Sequence, residues 1–471
     1  MASVRKTSIG RLALMAALGL FASSASTASA ADLGGDCCAD LEERIAELEA
    51  TTARKGNRKV KLEISGHVNE AVLFWDDGFE SNAGIYTNDN SRTRFRLKGE
   101  GKINEDWKAG YLLEIGVRSA NSKRFDQDND AGVATPDVGL DLRHSVWYVE
   151  SKTYGKLWVG LTGGAGEGVT EINQAASKDI AKYSDVEDSG LGLALRQTNG
   201  LFTNGTANTF NAAGTTQALT WRRLIRDNGD QPGEGRRQNL VRYDTPVFAG
   251  FTGTVNYGED DTWEAGLRYA GEFGGFKLAG GFAYGENSDI SGNRGFECLA
   301  QSAAGIAPTN RDTKCSQYGG SISVMHVESG LYANFAGGEM TDDLIQDRYL
   351  GAPVDDTSHF YAVEAGIERK FVDLGKTTIF GQYYKNEGGA SARRDFDGSG
   401  FTQGAVNILG SEVESFGGGI IQGVDAAAMH VYLTYRHLEA DVTVGNNLGV
   451  AGAQPQFEDL DVVMSGAIIR F

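Results

Sequence analysis

The sequence predicts an all-β fold, a transmembrane antiparallel β-barrel of about 16 strands, which is the size range of water-filled channels. Three observations predict it: apolar residues recur at every second position from Val60 onward, short connections alternate with mostly long loops, and the chain ends on the aromatic residue Phe471. Period-two alternation alone would suit a soluble sheet equally well. Short turns at one rim and long loops at the other are typical of a barrel in lipid, where a closed sheet leaves no backbone edge unpaired.

The first 30 residues have the pattern of a secretory signal peptide. Arg5, Lys6 and Arg11 form a basic start, residues 12–21 are an apolar run, and small residues lead up to Ala30. Because the apolar run is about half the length that a helix needs to cross a bilayer, we expect cleavage near Ala30 and export rather than anchoring. Cleavage would take the formal net charge from −19 to −22, and this acidity argues against nucleic acid as a partner.

Residues 31–58 are predicted to form a periplasmic segment with a short helix over 37–53, followed by a polar linker. Leu41, Ile45 and Leu48 recur at the spacing of a coiled-coil seam. The seam covers barely two heptads, which is marginal for an isolated helix. Association with other copies and packing against the protein's own barrel therefore both stay open.

The predicted barrel covers residues 59–471, with apolar strand faces toward lipid and polar faces toward a water-filled lumen. The first strand is expected near 60–75 and the last near 460–471, where we expect Phe471 to pair with the first strand and close the barrel. The count is 16 strands if residues 163–235 are one long excursion. It rises to 18 if two stretches of that excursion are full strands, at 191–200 and 215–225.

A row of basic residues marks one side of the predicted channel. Side chains repeat every two residues along a strand, so Arg92, Arg94, Arg96 and Lys98 point the same way. Facing lipid near mid-bilayer, each would cost roughly 2–4 kcal/mol, so the row is predicted to face the lumen. We expect this row, together with Arg143, to form the basic side of the pore constriction.

The acidic side is predicted from the segment at about 162–190, which is too polar for lipid exposure and too long for a simple turn. Folded into the lumen, it would set carboxylates against the basic row and produce a transverse field. The alternative is a solvated surface loop with ordinary charges. The candidate acidic residues are Glu167, Glu171, Asp179, Asp185, Glu187 and Asp188.

Cys298 and Cys315 bracket a predicted long loop, and in an exported protein such a pair is expected to form a disulfide. Metal ligation is the weaker alternative because no His lies within that loop. Two acidic stretches, 126–137 and 395–406, match a calcium loop only in part. We predict no metal site, no cofactor and no catalytic cluster, and hence not an enzyme.

Several stretches in order resemble the alphaproteobacterial general porins: DLEERIAELE at 40–49, KVKLEISGH at 59–67, SDVED at 184–188, NLVRYDTP at 239–246, and the terminal Phe471. The resemblance covers essentially the whole mature chain, and it is the order of the motifs that is specific. It implies a homotrimer of barrels in the bacterial outer membrane, in contact with lipid and with copies of itself. Each pore would be constricted by an inward third loop and would pass small hydrophilic solutes and ions passively.

Two alternatives remain beside a general diffusion channel. One is an outer-membrane channel that prefers a sugar or an anion, which an aromatic row along the lumen would favour in the case of a sugar. The other is an adhesin or enzyme that uses the barrel as a scaffold. The charge pattern predicts weak ion selectivity without fixing its sign.

Overall fold

The computed structural model describes residues 60–127, 139–203, 219–225, 231–259, 261–288, 314–343, 345, 354–389, 407–445 and 454–471. The predicted signal peptide, the predicted helix over 37–53, Cys298 and most of both acidic stretches considered for calcium lie outside these residues. No helix among the described residues is both long and apolar enough to cross a membrane.

The described residues contain 17 strand segments in one antiparallel sheet. They are β1 (Lys61–Asp76), β2 (Ser81–Thr87), β3 (Arg94–Lys102), β4 (Trp107–Arg118), β5 (Gly139–Ser151), β6 (Gly155–Gly163), β7 (Arg237–Asp244), β8 (Phe251–Gly258), β9 (Thr262–Phe273), β10 (Phe276–Asn287), β11 (Cys315–His326), β12 (Leu331–Asp342), β13 (Thr357–Val372), β14 (Gly375–Glu387), β15 (Asn407–Val424), β16 (Met429–Gly445) and β17 (Leu460–Arg470).

The sheet closes on itself through its first and last strands. β1 pairs with β17, with His67 opposite Arg470. One residue further, the Phe471 N–H donates to the Gly66 carbonyl at 3.0 Å, and the Gly66 N–H donates to the Phe471 carbonyl at 2.9 Å. Closure satisfies backbone groups that would otherwise be left unpaired in lipid.

The predicted count of 16 wall strands is confirmed, because β2 and β3 occupy one position in the wall. β1 pairs with β2 along its second half and with β3 along its first half. Between them the chain turns inward through a buried 3-10 helix, Asp89–Ser91. β2 was not predicted as a strand of its own, because Ser81–Thr87 has few bulky apolar residues.

The alternative of 18 strands is wrong for the described residues. Residues 191–200 form turns and isolated bridges, and residues 219–225 contain a short α-helix, α1 (Trp221–Ile225). Backbone hydrogen bonds join this helix to residues 191 and 193. The Arg222 N–H donates to the Leu191 carbonyl at 2.8 Å, and the Trp221 N–H donates to the Leu193 carbonyl at 3.1 Å. These residues lie inside the barrel rather than in its wall.

The inner face of part of the wall is apolar, which corrects the expectation of a polar lumen. Leu460, Val462, Met464 and Ile468 alternate along β17 and are all buried. They belong to one apolar cluster with residues of the chain inside the barrel, among them Ile180, Leu191 and Leu193, and Trp221 and Leu224 of α1. Apolar side chains on the outer face of β1 and β17 remain exposed, as predicted for a lipid-facing surface, for example Val68, Val72 and Ile469. One side of the lumen is therefore a packed, dry core.

Candidate functional site

The chain after β6 enters the barrel and is held there by side chains of the opposite wall. We call residues 164–203 the inner segment. Asn173 and Ser177 donate to the buried Glu364 carboxylate of β13 at 2.9 and 2.8 Å. The Gln382 amide of β14 donates to the Ala181 carbonyl at 2.6 Å. Polar inward residues of β13 and β14 thus anchor the inner segment across the lumen.

The tip of the inner segment, a 3-10 helix at Ala176–Asp179, reaches the junction of the first and last strands. The Asn69 amide donates to the carbonyls of Ser91 and Asp179, at 3.0 and 3.3 Å, and so joins the tip to the turn that precedes β3. The Arg470 guanidinium forms an ion pair with the Asp179 carboxylate at 2.7 Å. The tip is therefore fixed close to the basic residues of β3.

A cavity of about 480 Å³ lies between the inner segment and the wall around β3 to β5. Eight residues predicted from the sequence line it: Arg92, Arg94, Arg143, Glu167, Glu171, Asp179, Asp185 and Asp188. Sequence reasoning missed six further charged residues of the lining: Asp89, Lys123, Lys178, Lys182, Glu234 and Arg237. None of the described lining residues is aromatic.

Three of the predicted residues do not line this cavity. Arg96 and Lys98 continue the row along β3 beyond it, and both are exposed. Glu187 is 1% exposed and lies behind the lining, where it accepts from Lys123 at 3.2 Å and from Gln231 at 2.8 Å. For these three, a place at the pore constriction stays a prediction.

The basic side of the cavity is built around one carboxylate, Glu114 of β4. Its side chain is fully buried and pairs with Arg94 at 3.3 Å, with Arg143 at 2.7 Å, and with Arg96. The register of β3 and β4 places Arg96 opposite Glu114. Because three guanidinium groups share one carboxylate, this side carries an excess of positive charge.

Arg92 extends the basic side through a second group of charges in the turn before β3. It contacts Asp141 at 2.7 Å and Asp89 at 3.3 Å, and Asp89 also pairs with the buried Arg118 at 2.7 Å. Burial opposes ionisation of Asp89, but the guanidinium groups of Arg92 and Arg118 outweigh it and hold the pKa of its carboxyl well below the usual range. The Asp89 carboxylate therefore stays ionised and keeps Arg92 in place.

The opposite side of the cavity carries an excess of carboxylates. The Lys182 ammonium contacts Glu171 at 2.7 Å, Asp185 at 2.8 Å and Asp188 at 3.9 Å. Burial disfavours the charged ammonium, but these carboxylates outweigh it and raise the pKa of Lys182 well above its usual range. Burial also raises the pKa of the Asp185 carboxyl, and the neighbouring Glu171 and Asp188 act in the same direction.

The charged residues that were not predicted differ in how clearly the sequence marks them. Glu114 interrupts an apolar run on the strand that follows the basic row, so pairing the two predicted strands would have found it. Lys178 and Lys182 stand among the predicted acids, where counting only carboxylates hides them. Arg237 has no local signal, because only folding brings it to Glu167, with which it pairs.

Cys315 begins β11, is fully buried and is disulfide-bonded. Its predicted partner, Cys298, lies outside the described residues, so the pairing stays a prediction. Among the described residues, no group of three or more His, Cys, Asp or Glu is arranged to hold a metal ion.

Comparison with known proteins adds a family and a fold. A family model described as Gram-negative porin matches residues 13–447. A search of curated proteins finds no match. The solved structure of an anion-selective porin from Comamonas acidovorans is 15% identical, with a TM-score of 0.50 over 88% of this chain and 100% of that chain. OmpF of Salmonella typhi in complex with daunomycin is 12% identical, with a TM-score of 0.46 over 88% of this chain and 99% of that chain.

Proposed function

The chain belongs to the Gram-negative porin family and forms a diffusion channel across the outer membrane; we propose that the charged cavity described above is the constriction of this channel. The observation that carries the proposal is the opposition of two unequal charge groups. Three arginines share Glu114 on one side, and three carboxylates share Lys182 on the other. Arg94 and Arg143 of the first group and all four residues of the second line a single polar cavity.

Such an arrangement selects solutes by their ability to replace ordered water. Water between opposed charges interacts with both sides. An apolar solute displaces this water without replacing its interactions, whereas a small hydrophilic solute replaces them. The dry core along β17 blocks the other side of the lumen. Solutes and ions would therefore pass along the wall that carries β3, β4 and β5.

A sugar-preferring channel is the less favoured alternative. A stacking row for sugar rings needs exposed aromatic faces along the path, and the described lining has none. The family and the fold indicate a channel rather than an adhesin or an enzyme.

The finer assignments made from the sequence belong to the same proposal. We infer a homotrimer of the alphaproteobacterial general porin type, exported by a signal peptide cleaved near Ala30, with a periplasmic helix before the barrel. These assignments rest on the motifs and on the resemblance described above. Cross-linking of the purified protein in detergent, followed by mass determination, would test the trimer directly.

The constriction is tested by removing charge from its basic side. In the variant Arg94→Gln/Arg96→Gln, Glu114 keeps Arg143 as its partner while two positive charges are lost. We expect the reversal potential under a salt gradient to move toward that of a cation-preferring channel, and the single-channel conductance to change. The matched control, Lys152→Gln/Lys370→Gln, removes two exposed cations away from the cavity and should leave both unchanged. An unchanged conductance and reversal potential in the first variant would overturn the assignment.

A further inference from the structure

Lys178 differs from the other charged residues that line the cavity. Among the described lining residues, it is the cation for which the structure gives no hydrogen bond or ion pair of the side chain. Its side chain is exposed, and the residue lines the cavity. We propose that Lys178 is the selectivity-determining residue of the channel and biases it toward small anions, such as inorganic anions and carboxylates. The inference rests on the proposed constriction and deepens it.

The backbone of Lys178 is held rigidly although its side chain is free. The residue lies within the 3-10 helix Ala176–Asp179, at the tip of the inner segment. The Ala176 N–H donates to the Glu368 carboxylate at 2.8 Å, and Asp179 is fixed by Arg470 at 2.7 Å. The flexible Lys178 side chain therefore extends from a fixed backbone position close to the turn that precedes β3.

The cations around Lys178 each contact a carboxylate already, although some of them share one. Arg92, Arg94 and Arg143 contact carboxylates within 3.3 Å. Lys123 contacts Glu187 and Asp188, both at 3.2 Å. The lining contains seven cationic and seven carboxylate side chains, and Lys178 is the one of these cations that no described carboxylate holds in an ion pair.

The free ammonium can act on an ion in the path without first breaking an ion pair. It is a compact, hydrated point charge on a flexible stem, so it can follow a passing anion. One unit charge about 5 Å from an ion changes anion and cation occupancy in opposite directions, by roughly twofold or more each at about 0.1 M salt. Salt screening predicts that the bias weakens as ionic strength rises.

The experiment compares reversal potentials of single-site variants of the full chain under a KCl gradient in planar bilayers. We expect Lys178→Gln to lower the anion-to-cation permeability ratio by roughly threefold or more, given the charge effect above. Lys178→Glu should lower it further. Lys178→Arg, which keeps the charge, should remain near the natural value, as should Lys152→Gln, which removes an exposed cation in the turn between β5 and β6.

The outcomes separate this inference from the proposed constriction. If Lys178→Gln and Lys178→Glu leave the permeability ratio unchanged while Arg94→Gln/Arg96→Gln alters it, the role of Lys178 is refuted and the constriction stands. If none of these variants alters the ratio, the constriction itself is refuted. An equal effect of Lys152→Gln would also overturn the role of Lys178, because it would show that a charge away from the cavity has the same effect.

Discussion

Replacing Glu114 with Gln is expected to lower the free energy of unfolding of the barrel by about 3–5 kcal/mol, the usual cost of removing one partner from a buried ion pair. Glu114 is fully buried and is the carboxylate that Arg94, Arg96 and Arg143 share. Its loss leaves three guanidinium groups facing one another. The free energy is measured by urea titration of the protein in lipid vesicles.

Two comparisons show whether this effect comes from uncompensated charge. Glu100→Gln removes a partly exposed carboxylate that pairs with Lys108 at 3.3 Å, and it should cost less than about 1 kcal/mol. Adding Arg143→Gln to Glu114→Gln should recover part of the lost stability, because one of the crowded positive charges is removed. A loss for Glu114→Gln no greater than that for Glu100→Gln would contradict the shared-carboxylate account.

Replacing Trp221 with Ala should also lower the free energy of unfolding by about 3–5 kcal/mol, because it opens a cavity in a packed core. Trp221 is 1% exposed and lies in the apolar cluster between the inner segment and the wall. The same urea titration measures the loss. We expect noisier single-channel currents as well, since α1 packs against the chain that carries the tip of the inner segment.

The matched control for this change is a tryptophan on the other face of the wall. Trp147 of β5 is 49% exposed and points toward lipid, which can fill the space that a truncated side chain leaves. Trp147→Ala should therefore destabilise the barrel much less than Trp221→Ala. Equal losses for the two variants would mean that the inside of the barrel holds no dry core at this position.

The outer surface and the barrel wall could be predicted from the sequence, because lipid requires an apolar side chain at every second position of a wall strand. Val68 and Val72 on β1 follow the period of two, and the terminal strand repeats it through Ile469. The orientation of Arg94 and Arg96 followed from the same period, since a row of cations has no stable place in lipid. Strand count and closure depend on such alternation, and both agree with the structure.

The inner face was less predictable because its environment is made by distant parts of the chain. Val462 and Met464 would normally meet water in a lumen, and they are tolerated because they are buried in one apolar cluster with Ile180 and Trp221. No local pattern reveals that contact. The same holds for Arg237, which reaches the cavity from β7, and for Lys178, whose free side chain is evident only when the partners of its neighbours are known.

The central claim is that ions cross the barrel through the charged cavity, and chemical modification of introduced cysteines during current recording tests it most directly. Arg94→Cys and Glu171→Cys place thiols in the lining, whereas Phe282→Cys places one on the outer face, where Phe282 is 54% exposed. The natural chain, treated identically, reports on its own four cysteines. A water-soluble, negatively charged thiol reagent should lower the single-channel current in discrete steps for the two lining variants alone. Unchanged current in both, with complete modification verified by mass spectrometry, would contradict the account.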